Sequence, residues 1–237
     1  MRKSKVIAKL RENHFVRVCA LGHFLPFFVR YAAHFNYDAL WLDLEHRAMG
    51  EREVQALLAF CHRYNIDCMI RPPTRGRTHL YRYLEDGASG FMIPFVETAA
   101  EAAALVESIK FPPLGNRGLD GAGLDSDFGV EAWRPDATYL TDANAETFIV
   151  AQIETPEAVA NAAEIAAVSG IDLLFIGPGD LTIRLPATMT IADVVEQVRA
   201  AAQQHDKAWG IAVGSLDDVK HYRSLGAQMI PWGGDFA

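Results

Sequence analysis

Short apolar runs alternate with longer segments whose apolar positions recur at helical spacing, and the alternation continues along nearly the whole chain. The runs at 16–21 (VRVCAL), 37–43 (YDALWLD), 66–71 (IDCMIR), 90–94 (GFMIP), 148–153 (FIVAQI), 171–176 (IDLLFI), 208–213 (AWGIAV) and 227–231 (AQMIP) predict eight strands. Between them, residues 26–35, 51–64, 78–86, 99–109, a stretch opening at Pro156, 191–204 and 216–225 predict helices. In the second of these Val54, Leu57, Leu58 and Cys61 form one apolar face. A short basic helix precedes the first strand. Strands separated by helices at short intervals predict an α/β fold with a parallel sheet, and a count of eight makes a TIM (β/α)₈ barrel the expected architecture. An open doubly wound sheet is the competing arrangement, and no GxGxxG follows strand one to support it. Residues 112–147 break the rhythm with Pro112-Pro113, a glycine-rich tract over 115–129 and a predicted helix at 133–143. A long irregular segment in such an alternation reads as a functional loop.

The fifth and sixth strands stop at carboxylates, Glu154 after FIVAQI and Asp180 after the turn Gly177-Pro178-Gly179. A parallel strand–helix–strand unit brings both C-termini to one end of the sheet, so these acids are expected to be neighbours. Side chains alternate along a strand. If Ile149, Ala151 and Ile153 meet the covering helices, Val150, Gln152 and Glu154 face the interior. An inward carboxylate needs a cation or hydrogen bonds to offset desolvation, so the pair reads as half of a metal site. Gly179 and the amide of Asp180 can offer backbone N–H groups to an anion. The plainer alternative is that Glu154 caps a helix and Asp180 closes a turn.

In a barrel, chemistry gathers at the C-terminal ends of strands. Falling there are Asp43, Glu45 and His46 after strand two, Arg71 after strand three, Gln152 and Glu154 on strand five, and Gly179 and Asp180 after strand six. No lysine ends a strand, which disfavours imine chemistry. A divalent metal held by Glu154 and Asp180 is then the expected electron sink. All-oxygen ligation by few protein groups suits Mg²⁺ or Mn²⁺, with Co²⁺ and Zn²⁺ as further options.

Composition narrows the setting. A chain of 237 residues with 50% hydrophobic content suffices for one domain spanning 1–237, and a net charge of -8 argues against nucleic acid or an anionic membrane as partner. Basic residues near the N-terminus are followed by no long apolar stretch, so neither a signal peptide nor a membrane span is expected, and a cytoplasmic setting is. Cys19, Cys61 and Cys68 lack CxxC spacing and read as buried free thiols.

Five motifs taken in order resemble the class II, metal-dependent pyruvate aldolases of the HpcH/HpaI family: LDLEH at 42–46, IRP at 70–72, KFPPLGNRG at 110–118, QIET at 152–155 and FIGPGDL at 175–181. That family includes 4-hydroxy-2-oxoheptanedioate aldolase and 2-dehydro-3-deoxyglucarate aldolase. The resemblance implies reversible cleavage of a 4-hydroxy-2-oxo acid to pyruvate, or a related 2-oxo acid, and an aldehyde. It implies that Glu154 and Asp180 hold the metal, that Arg71 contacts the pyruvyl oxygen, and that His46, oriented by Asp43 with Glu45 behind it, transfers a proton. Gln152 and the backbone at Gly179 and Asp180 would hold the pyruvate end. It further implies a homo-oligomer, a hexamer whose last helix packs on a neighbouring subunit; that helix is expected to be missing after Ala237. Two stretches depart from the family, 119–129 (LDGAGLDSDFG) and 182–186 (TIRLP), both where the aldehyde is expected. An acidic loop is a poor receptor for an acidic aldehyde tail. The rival readings are a citrate-lyase or malyl-CoA type lyase, disfavoured by the want of a basic patch for coenzyme A, and a barrel that binds a 2-oxo acid and metal without turnover.

Overall fold

The computed structural model describes residues 1–130 and 132–235. Its strands are β1 (Val16–Leu21), β2 (Ala39–Asp43), β3 (Asp67–Arg71), β4 (Gly90–Ile93), β5 (Phe148–Ile153), β6 (Leu173–Ile176), β7 (Ala208–Ile211) and β8 (Met229–Gly234). They close into a barrel in chain order, each paired in parallel with the next and β8 with β1. The open-sheet alternative is thereby excluded. Outside the strands lie α2 (Pro26–His34), α3 (Glu51–Arg63), α4 (Arg77–Glu85), α5 (Ala99–Ile109), α7 (Pro156–Ala160), α8 (Ala162–Ala167), α10 (Ile191–Gln204) and α11 (Leu216–Ser224). No described helix is long and apolar enough to cross a membrane.

Strand alternation divides the core in two. Ile149, Ala151 and Ile153 pack outward among the helices, whereas Phe148 and Val150 point inward to meet Met69, Met92, Leu173, Phe175 and Met229. The interior is thus filled by side chains from many strands, and truncating one such group, Phe175→Ala, costs about 3–5 kcal/mol. The basic helix α1 (Lys5–Arg11) covers the N-terminal end of the barrel, adding Val6 and Ile7 to this inner cluster. It is fastened by Asp67, whose carboxylate accepts from Ser4 Oγ at 2.7 Å, Val6 N at 2.9 Å and Arg2 at 2.6 Å. Cys19, Cys61 and Cys68 are buried and free.

The irregular segment differs from its sequence reading in two ways. Its helix, α6 (Tyr139–Glu146), begins later than 133, because Trp133 instead packs against Gly121 and Gly129, both at positive φ. Its acidic tract also lies away from the strand C-termini. Asp125 is buried, accepting from Arg117 at 2.7 Å and from the Tyr139 hydroxyl at 2.6 Å, and the Arg117 guanidinium sits 4.6 Å from the Phe111 ring. Gly123 and Leu124 pack against the end of α4 and Gly87, just before β4 begins. The buried Lys110 donates to the carbonyls of Asn144 and Thr147 immediately before β5. Within the chain this tract therefore packs at the N-terminal end of the barrel. Arg117 neutralises Asp125 inside the fold, while Asp120 and Asp127 stay exposed. Glu131 lies outside the described residues, as do Phe236 and Ala237, where the chain's end was expected to lack a helix.

Candidate active site

Asp43 and Arg71 end β2 and β3 and stand side by side in register. Arg71 grips Asp43 through both arms of its fork, Nε to Oδ1 at 3.0 Å and Nη2 to Oδ2 at 2.8 Å. Such bidentate pairing fixes the guanidinium plane as a single contact does not. Asp43 also accepts from the backbone N–H of Glu45 at 3.1 Å and of His46 at 3.3 Å. Burial alone would raise the Asp43 pKa, but Arg71 and these two N–H groups outweigh it and hold the pKa below its ordinary value. The Arg71 guanidinium stacks 4.8 Å above the Trp41 ring, a cation–π contact, and Trp41 in turn meets Phe175 edge-on in the barrel interior.

The His46 ring turns toward Glu45, with Nε2 3.5 Å from Oε2, and the same Glu45 oxygen lies 3.3 Å from Arg71 Nε. Asp43 holds the backbone of His46 and leaves the ring to Glu45. The expected orientation of the imidazole by Asp43 is corrected accordingly: Arg71 already occupies both oxygens of that carboxylate.

On the other side of the rim Glu154 follows β5 and is 2% exposed. Burial pushes its pKa up to about 7, with Asp180 and Glu45 adding to the rise while the Phe95 N–H and Arg71 oppose it. The Phe95 N–H donates to Glu154 Oε1 at 2.9 Å from a residue held at φ 54°. A bulky residue in the left-handed region costs about 1–3 kcal/mol, so the surroundings must enforce this conformation. Arg75 contributes by donating to the carbonyls of Pro94 and Phe95. The plainer reading of Glu154 fails, because the helix cap is Thr155, whose side chain accepts from Ala158 N. Asp180 lies in the first turn of α9 (Pro178–Arg184), an element the sequence reading took for a turn, and pairs with Arg184 one helical turn on.

Gly177, between β6 and α9, donates its N–H to Ile153 O at the end of β5 at 3.0 Å. A Cβ there would fall 2.7 Å from Glu154 Oε2 and 3.1 Å from Gln152 Nε2, so any side chain would displace the Glu154 carboxylate. Gln152 is buried with its Oε1 lacking a hydrogen-bond partner among the described residues. An added Cβ at Gly179 would meet nothing within 4 Å, which leaves open space beside the backbone of Gly179 and Asp180. The carboxylates fit a hard divalent cation: Glu154, raised in pKa first by burial and then by Asp180 and Glu45, and Asp180 itself, with the unpartnered Gln152 amide beside them. Among the described residues no three His, Cys, Asp or Glu side chains are drawn together as a ready ligand set. Few protein ligands, with the remaining positions left to water or substrate, is the usual pattern for Mg²⁺.

The chain matches the family described as HpcH/HpaI aldolase/citrate lyase over residues 21–237. It belongs to that family. A hydroxypyruvate/pyruvate aldolase of Deinococcus radiodurans is 33% identical over 221 residues, covering 91% of this chain and 78% of the relative. A 4-hydroxy-2-oxovalerate aldolase of Rhodococcus jostii is 35% identical over 84% of this chain and 78% of its own. A solved HpcH/HpaI aldolase/citrate lyase family protein from Burkholderia cenocepacia superposes with a TM-score of 0.89 at 29% identity, covering 99% of this chain and 94% of that one. The protein is accordingly an enzyme of the aldolase and lyase kind.

This HpcH/HpaI family member has a cavity of about 680 Å³ at the barrel mouth, lined by Asp43, His46, Arg47 and Arg71 on one side and by the ends of β1, β7 and β8 on the other. The sequence reading singled out neither Trp41 beneath Arg71 nor Phe95. Phe95 gave no sign, since a left-handed phenylalanine has no sequence signature. Arg184 could have been found, being four residues from Asp180 on a helix. A further unforeseen contact closes the rim at β8, where Asp235 accepts from Gly22 N at 2.8 Å, His23 N at 3.0 Å and His23 Nδ1 at 2.8 Å.

Proposed function

We propose that this enzyme is a divalent-metal-dependent aldolase that reversibly cleaves a 4-hydroxy-2-oxo acid into pyruvate, or a close 2-oxo acid, and an aldehyde. The observation that carries the reading is the gathering on one rim of the Asp43–Arg71 fork, the Glu45–His46 pair and the buried Glu154 beside Asp180. The names of the relatives agree with it.

Glu154 and Asp180 would hold the cation, which supplies Lewis-acid stabilisation of charge on the 2-oxo group. Gln152 and the backbone N–H groups of Gly179 and Asp180 bind and orient the carboxylate end. Arg71, fixed by Asp43 and supported on Trp41, presents its guanidinium to the 2-oxo oxygen, where negative charge develops. His46 accepts the proton of the C4 hydroxyl while the C3–C4 bond breaks; its electron pair passes to C3 and leaves the enolate of pyruvate. An imidazole has an unperturbed pKa of about 6.5 and suits that transfer near neutral pH. Glu45, within reach of both His46 and Arg71, steadies the imidazolium that results. Proton return to C3 completes the cycle. Mg²⁺ or Mn²⁺ suits the oxygen donors best.

The reading is tested by following pyruvate release from a 4-hydroxy-2-oxo acid with and without EDTA. Activity should vanish on chelation and return with Mg²⁺ or Mn²⁺, and borohydride with pyruvate should trap no covalent adduct. An adduct on a lysine, or full activity in EDTA, contradicts it.

A further inference from the structure

Beyond the pyruvate end, the mouth cavity has two chemically different walls. Asp43, His46 and Arg71 form the wall that faces the reacting atoms. Ala20 of β1 lies beside Trp41, its register partner on β2, and the lining continues through Ala212 and Val213 after β7 and Pro231 and Trp232 of β8. Trp232 is 39% exposed, an open aromatic face in an otherwise charged rim.

The parts of the second wall built by β7 and β8 carry no cation. Among the described residues neither the segment after β7 (Ala212 to Ser215) nor β8 through Asp235 contains a Lys, Arg or His. Their one charged side chain among the described residues is the Asp235 carboxylate, which accepts from the Gly22 and His23 N–H groups and meets the His23 imidazole at 2.8 Å. A carboxylate-ended substituent extending that way would lose hydration against apolar side chains, with no cation on β7 or β8 to offset the loss. An alkyl or aryl group would shed water onto the same surface with gain.

We propose that the aldehyde partner of this enzyme carries an apolar substituent, branched alkyl or aromatic, seated against Val213, Pro231 and Trp232. This rests on the aldolase reading above and adds the class of acceptor. Arg47, on the polar side beside His46, is the residue a carboxylate tail would have to reach.

The experiment measures kcat/KM in the carbon–carbon bond-forming direction with pyruvate and Mn²⁺, across acetaldehyde, propanal, butanal, 3-methylbutanal, benzaldehyde and succinic semialdehyde. Each buried methylene should raise kcat/KM about fourfold. Benzaldehyde and 3-methylbutanal should exceed succinic semialdehyde by at least about tenfold. Trp232→Ala should flatten the climb from acetaldehyde to butanal, and Val213→Ser, a smaller change, should reduce it in the same sense. Val213→Arg should move preference toward succinic semialdehyde. A flat series in the unmodified enzyme, or a preference for succinic semialdehyde that Arg47→Ala abolishes, overturns the proposal. So does an undiminished climb in both Trp232→Ala and Val213→Ser. Exchange of pyruvate methyl protons with solvent deuterium, which needs no aldehyde, separates the two levels. Exchange with a flat series overturns only the acceptor class, whereas no exchange overturns the aldolase reading and this proposal together.

Discussion

Arg71 and His46 share Glu45 as a neighbour, yet their proposed roles separate cleanly at the level of single substitutions. Arg71→Ala removes charge stabilisation on the enolate and should depress aldol cleavage and oxaloacetate decarboxylation alike; Arg71→Lys should restore little, lacking the planar fork that Asp43 grips. His46→Ala should slow cleavage by about 10²–10⁴-fold but spare decarboxylation, which forms the same enolate without deprotonating a hydroxyl. Equal losses of both activities in the two variants would refute the division. Asp43 gives a stability test with a defined pH window. Its folded pKa is depressed, so its stabilisation is complete above the unfolded value of about 3.9 and fades as pH falls through the lower folded value. Asp43→Asn should lower unfolding free energy by about 1.5–3 kcal/mol at pH 7, and the gap to wild type should narrow in urea titrations as pH falls below the unfolded value. A gap that does not change with pH would show that the fork does not set this carboxylate. The polar residues of the rim could be read because period-two alternation and strand ends fix which side chains face the mouth. Their pairing could not: whether Asp43 held the His46 ring or the Arg71 fork depends on register between β2 and β3, which no local pattern encodes.

At the scale of elements, the turn between β6 and α9 sets the relation of Glu154 to Asp180. Gly177→Ala places a methyl group 2.7 Å from Glu154 Oε2, too close for contact without displacing the carboxylate. A displacement near 1 Å at a reacting centre costs about 10²-fold, and that loss is expected in cleavage assays with little change in melting temperature. Unaltered activity would mean that Glu154 need not sit where it does. Most strands and helices followed from hydrophobic period alone, including the inward set of β5. The segment before β5 did not, because Gly121 and Gly129 at positive φ and the buried Arg117–Asp125–Tyr139 cluster organise it through tertiary contacts. Charge counted along the sequence did not show that one of its aspartates, Asp125, is neutralised inside the fold, while Asp120 and Asp127 remain exposed. α9 was missed for a related reason, since Gly-Pro-Gly reads as a turn even where the proline occupies the first helical position.

At the scale of the whole molecule, α2 leaves Phe27, Tyr31 and Phe35 exposed at successive helical turns. Apolar stripes of this kind mark contact surfaces, and an oligomer is the proposed state, a hexamer by resemblance. Light scattering should report a mass several times the 26.1 kDa of one chain, and Tyr31→Glu should shift it downward. A monodisperse monomer with full activity would contradict that. The central claim is that the buried Glu154 holds a cation on which enolate formation depends. It is tested most directly by solvent deuterium exchange into the methyl group of pyruvate, without aldehyde, followed by proton NMR at matched Mn²⁺ in wild type and Glu154→Gln. The account predicts exchange in wild type that EDTA abolishes and that is absent from a folded Glu154→Gln. Exchange independent of metal, or equal in the two proteins, would contradict it.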